Sequence, residues 1–99
     1  MNSKKFALLW NSGGYIVGAE WVIAKNYLKS IKSRIGLIVI NNQLIYSVKE
    51  NSSDSFWKPC RAISNTGNKA TNKKNALKDY FYHYLLHNQS NFTIIELNN

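Results

Sequence analysis

At 99 residues, 44% of them apolar, the chain has material for one hydrophobic core and too little for two. Its single cysteine, Cys60, excludes an intrachain disulfide, a cysteine framework and a Cys-rich zinc module, and predicts a reducing, cytoplasmic setting. The formal charge of +8 points toward a polyanion, an acidic protein face or a membrane surface, although the preference for lysine over arginine (Arg34 and Arg61 alone) with abundant Asn and Ile is also what A/T-rich coding produces.

Lys4 and Lys5 precede only five apolar residues before Asn11-Ser12-Gly13-Gly14 interrupts, too short a run for a signal-peptide core or a membrane span. A soluble protein with no membrane partner is expected. Residues 5–10 read as a strand, and the Asn-Ser-Gly-Gly run as a turn. Residues 15–22 fit a second strand or the start of a helix. From Ala19 onward, Ala24, Tyr27, Leu28, Ile31 and Ile35 fall on one face, which predicts a helix over 19–33. Residues 36–40 and 43–49 flank Asn41-Asn42, a pair that tolerates the left-handed backbone of a tight hairpin turn. The polar stretch 49–72 then breaks the pattern; connections usually run about 4–6 residues, and longer ones tend to be functional. Asn72 is placed to cap a helix reaching His87, with Leu77, Tyr80, Phe81, Tyr84 and Leu85 as its buried stripe. Residues 92–97 close the chain as a strand.

The predicted order is strand, helix, strand, strand, helix, strand. That is an α+β chain in the ferredoxin-like layout, one antiparallel sheet packed by two helices. With residues 15–22 extended, the alternative is a five-stranded α+β sandwich. Either layout hosts RNA binders, small enzymes and regulatory modules, so function has to be argued from sites.

Positive charge falls in two zones: residues 1–35 hold six basic and one acidic side chain, residues 54–79 six and two. In the second zone Trp57, Lys58, Arg61 and Lys69 lead to Lys73 and Lys74, expected in the first turn of the second helix. There, free backbone N–H groups and the helix dipole favour an anion, and lysines oppose the dipole unless something negative offsets them. The bland alternative is a solvated loop with Phe56 and Trp57 tucked onto the core. Gly67-Asn68-Lys69 lacks the upstream glycine and following hydroxyl of a P-loop. In the first zone Lys25, Lys29 and Lys32 form a narrow helical stripe beside Trp21, suited to a nucleic-acid backbone with the indole stacking on a base, though such stripes are usually solvated faces.

His83 and His87 are four apart, a spacing that can place two imidazoles on one metal, with Cys60 or Glu96 as a remote third ligand. The zincin glutamate is absent, Asp79 offers His83 a simple partner one turn earlier, and no metal or cofactor is expected. The carboxylates Glu20, Glu50, Asp54, Asp79 and Glu96 show no paired-acid spacing. Cys60, between Lys58 and Arg61, is a nucleophile only with a histidine brought to it. Phe6, Trp10 and Tyr46 are candidate outward stacking platforms of an RNA-binding sheet, but the basic-glycine-aromatic run of that motif is missing.

The leading expectation is a small DNA- or RNA-binding domain that holds phosphates through Lys58, Arg61, Lys69, Lys73 and Lys74, assisted by Lys25, Lys29 and Lys32, with Trp57 or Trp21 stacking on bases. The alternative is an inhibitor, immunity or anti-host-defence protein of a phage or mobile element, which uses Trp57 and Phe56 as anchors to occlude an acidic protein partner. A third reading is a small metal-independent ribonuclease in which histidines move protons and lysines hold phosphate.

Overall fold

The computed structural model describes residues 4–40, 42–49, 58–59 and 69–97. Strand β1 (Lys5–Trp10) alternates as its sequence dictates: Phe6 and Leu8 are buried in the core and Trp10 packs against it, while Leu9 points to the other face. The turn that follows uses Gly13 at φ 100° and Gly14 at φ 84°, values at which a Cβ is costly. Trp10 N–H donates to the Gly14 carbonyl and Gly13 N–H to the Trp10 carbonyl, both at 3.1 Å. The chain returns as β2 (Tyr15–Gly18), antiparallel to β1.

Residues 15–22 are therefore both things the sequence suggested. Four residues are extended, Ala19 bridges, and helix α1 (Glu20–Ser30) begins. Gly18 makes this abrupt change possible: a Cβ there would lie 2.9 Å from Val22 Cγ1 and 3.0 Å from Val22 Cβ. Gly18→Ala thus forces the first turn of α1 away from β2, and a loss of about 1–3 kcal/mol in urea unfolding is the expected outcome.

α1 buries Ile23, Ala24 and Leu28. The hairpin β3 (Arg34–Ile40) and β4 (Gln43–Lys49) turns with Asn42 at φ 64°, the left-handed conformation expected of that position. Next to β4 lies the two-residue β5 (Lys58–Pro59). Helix α2 (Lys69–His83) is followed by a 3₁₀ turn at Leu85–His87 and by β6 (Phe92–Leu97), which pairs antiparallel with β1 from Lys5↔Leu97 to Trp10↔Phe92.

The strands form two antiparallel sheets, β2-β1-β6 and β3-β4-β5, with two helices. The single ferredoxin-like sheet needed the hairpin to pair with β1. Both edges of β1 are occupied, by β2 and β6, so the hairpin builds a sheet of its own; the five strands expected with residues 15–18 extended are present, divided between two antiparallel sheets, with the short β5 added beside β4. One core joins the parts: Phe6 and Leu8 from β1, Ile23, Ala24 and Leu28 from α1, Tyr46 and Val48 from β4, Ala76, Leu77, Tyr80 and Phe81 from α2, then Leu85 and Phe92. Phe6 and Phe81 meet at 4.8 Å between ring centroids. Trp10 stacks on Tyr27 at 5.8 Å, and Tyr27 meets Phe92 edge-on at 5.0 Å. The stripe read for α2 is buried as expected except Tyr84, which is half-buried. Among the described residues no helix is long and apolar enough to cross a membrane.

Candidate nucleic-acid interface

The exposed side of α1 carries Lys25 and Lys29 in one slanted row with the half-buried Trp21, spaced by four residues each. At its start Lys74 of α2 sits over Trp21, with Nζ 5.0 Å from the ring centroid, a cation–π contact that joins the two basic zones. Trp21 therefore holds a cation on one face of its ring.

At the far end α1 stops in a Schellman-type turn. Lys32 N–H donates to the Lys29 carbonyl at 3.1 Å and Ser33 N–H to the Leu28 carbonyl at 2.8 Å. The position that closes this motif is normally glycine; here it is Lys32, at φ 56°. Lys32 is thus not the third lysine of a helical stripe, as its spacing suggested, but a cation swung out of the helix by the turn. Lys32→Gly relieves this strain, and its expected effect is about 1 kcal/mol of added stability in chemical denaturation.

The turn delivers Ser33 and Arg34 directly into β3, and the hairpin register sets Arg34 opposite Lys49 at the end of β4. Lys32, Ser33, Arg34 and Lys49 together line a cleft of about 100 Å³. Arg34 and Lys49 are like charges in directly opposed ladder positions, which repel one another. Both make further interactions within the chain. The Ser33 hydroxyl is buried and has no hydrogen-bond partner among the described residues. Among the described residues no acidic side chain lines it.

The second basic zone departs from expectation. α2 starts at Lys69, so Asn72 lies inside the helix and not at its cap, and Lys73 and Lys74 fall in the second turn. Their backbone N–H groups are within reach of intrahelical acceptors, and the anion site expected from free N–H groups at these lysines falls away. Both side chains are exposed. Lys58 lies in β5 and Lys69 opens α2, whereas Trp57, Arg61, Phe56 and Cys60 lie outside the described residues.

The aromatic platforms are corrected too. Phe6 and Tyr46 are buried in the core and Trp10 is stacked on Tyr27, so none of the three presents a ring to a base. His83 Nε2 pairs with Asp79 Oδ1 at 3.3 Å, the helix-surface contact expected from their spacing. α2 ends at His83 and His87 belongs to the 3₁₀ turn, so the two histidines do not share one α-helical face.

Tyr82 bridges the helices: its hydroxyl donates to Glu20 Oε2 at 3.0 Å. Partial burial, then the hydrogen bond to Glu20 and the charges of Glu20 and Glu96, raise the phenol above its ordinary 10.0. The folded chain therefore keeps a proton that the unfolded chain gives up. This contribution to stability is complete below the unfolded value and is lost as pH rises through the higher folded one. Tyr82→Phe removes it, so between about pH 9 and 11 the melting temperature of the variant should fall less steeply than that of the parent.

Ser33, Arg34 and Lys49 were not singled out by sequence reasoning, yet a signal existed. A two-residue turn at Asn41-Asn42 pairs residues symmetrically about itself, and extending β3 back to its first residue sets Arg34 against Lys49. The chain matches no protein-family model, no curated protein and no solved structure.

Proposed function

We propose that the protein binds nucleic acid through a cationic track that runs along α1 and ends in the cleft at the base of the hairpin. The observation that carries this reading is the succession of cations along the track: Lys74 over Trp21, then Lys25 and Lys29, then Lys32, Arg34 and Lys49 lining one cleft. At 1.5 Å per residue, the helical part of the track from Trp21 to Ser30 spans roughly 13 Å, enough to follow about four phosphates of one duplex strand at 3.4 Å of duplex axis each, with the cleft beyond it for one more. Lysines on a helix face and an arginine at a turn contact phosphate rather than base edges, so the binding is weakly sequence-selective. Trp57, Lys58, Arg61, Lys69 and Lys73 belong to the same proposal on their charge and ring chemistry alone.

Amide-shift mapping with an unlabelled oligonucleotide tests it. Shifts concentrated on residues 21–34 and around Lys49 are expected. Shifts confined to β2-β1-β6 would overturn it.

A second reading, a module that binds a protein partner, is favoured by one observation. The face of β2-β1-β6 turned away from the core sets Tyr15 and Val17 beside Leu9, Ala7 and Ile95, with Tyr15 71% and Val17 44% exposed. Apolar residues gathered in that way are a common mark of a docking surface. The same mapping with an acidic protein partner would then light up this face, while lysines elsewhere steer the encounter.

A further inference from the structure

The track has a convex part and a concave end, and the two suit different phosphates. Along α1, Lys25 and Lys29 stand exposed on a helix surface, where the phosphodiesters of a passing strand can be touched from one side. The cleft gathers Lys32, Arg34 and Lys49 from three separate pieces of backbone, a helix-ending turn and the two arms of a hairpin. A phosphodiester within a strand carries one charge and is flanked by sugars on both sides. A terminal phosphomonoester carries about −1.5 to −2 near neutral pH and has three oxygens free, so it can enter a cleft and be met from several directions at once.

We infer that the cleft formed by Lys32, Ser33, Arg34 and Lys49 holds the terminal phosphomonoester of a nucleic-acid strand whose following phosphates lie along α1. This rests on the nucleic-acid reading for the strand but not for the cleft itself, which would bind a phosphomonoester of any origin. Arg34 offers its planar fork to the phosphate oxygens, and Lys32 and Lys49 neutralise the remaining charge. The strained Lys32 is consistent with this role, since backbone held in a disfavoured conformation is often retained where a ligand needs the side chain.

The test compares one single-stranded oligonucleotide in three forms: 5′-phosphorylated, 3′-phosphorylated and with hydroxyls at both ends. One phosphorylated form should bind about tenfold more tightly than the hydroxyl form, the effect of an added charge-assisted hydrogen-bond pair. Arg34→Gln with Lys49→Gln should abolish that preference. Lys32→Gly should reduce it while the melting temperature rises, which separates loss of the site from loss of the fold. If all three forms bind within twofold of one another, the cleft is not an end-binding site and the inference is overturned. If none binds, the nucleic-acid reading fails, and a titration with inorganic phosphate decides the cleft alone. Saturable amide shifts at residues 32–34 and at Lys49 would keep it as a phosphomonoester site, and unmoved amides would remove it.

Discussion

Exchanging Arg34 and Lys49 together for glutamine should weaken oligonucleotide binding at about 50 mM salt by 10- to 100-fold and flatten the dependence of log K on log salt by about two units. The two side chains face one another across the β3–β4 ladder and line the same cleft. Each phosphate contact that is lost leaves one condensed counterion in place, which makes binding both weaker and less sensitive to salt. Urea unfolding of the same variant separates loss of charge from loss of fold, since both residues make further interactions within the chain. An affinity loss with an unchanged salt slope would mean that the residues act through the fold and not through phosphate.

Phe81→Ala is expected to have the largest effect on stability, a loss of about 3–5 kcal/mol in urea unfolding. Phe81 is fully buried on α2, and its ring lies 4.8 Å from Phe6 on β1 and 5.2 Å from Tyr82. It therefore couples the helix layer to the central strand of the first sheet, and its removal leaves a cavity where elements distant in sequence meet. Small domains are stable by about 5–15 kcal/mol in total, so the variant should stand close to unfolding. Tyr15→Ala, on the exposed face of β2, is the matched control and should change stability by less than about 0.5 kcal/mol. A Phe81 variant as stable as this control would contradict the packing of α2 onto β1.

The parts of the fold that could be read in advance are those fixed by local chemistry. β1 is closed by the Asn11-Ser12-Gly13-Gly14 turn and β6 opens after a polar run, the hairpin is announced by Asn41-Asn42, and the apolar spacing from Leu77 to Leu85 marks α2 and the turn after it. Residues 15–22 resisted a single reading because the period changes from two to 3.6 within eight residues, with only Ala19 between strand and helix. The start of α2 was misplaced because Asn72 is a good capping residue in a run of Lys, Asn and Thr that has no apolar period to oppose it. The division into two sheets was not readable locally. It depends on which strand takes each edge of β1, and that is settled by contacts between the two ends of the chain.

The site follows the same rule. Lys25, Lys29 and Trp21 were visible as helical spacing, but the pairing of Lys74 with Trp21 needs the packing of α2 on α1. The cleft was hidden by its own oddity. Its turn motif is ordinarily marked by glycine, and this chain puts Lys32 there, so the end of the helix and the direction of that lysine could not be inferred from composition.

The central claim is that the positive charge is organised to hold a strand of phosphates. Fluorescence anisotropy of labelled single- and double-stranded oligonucleotides, titrated at about 50 and 200 mM salt, tests it most directly, since a track of roughly five phosphate contacts should lose some 10²–10³ in affinity over that range. Micromolar or tighter binding at the lower salt with that steep loss is the predicted result. No binding at the lower salt, or binding indifferent to salt, would contradict it.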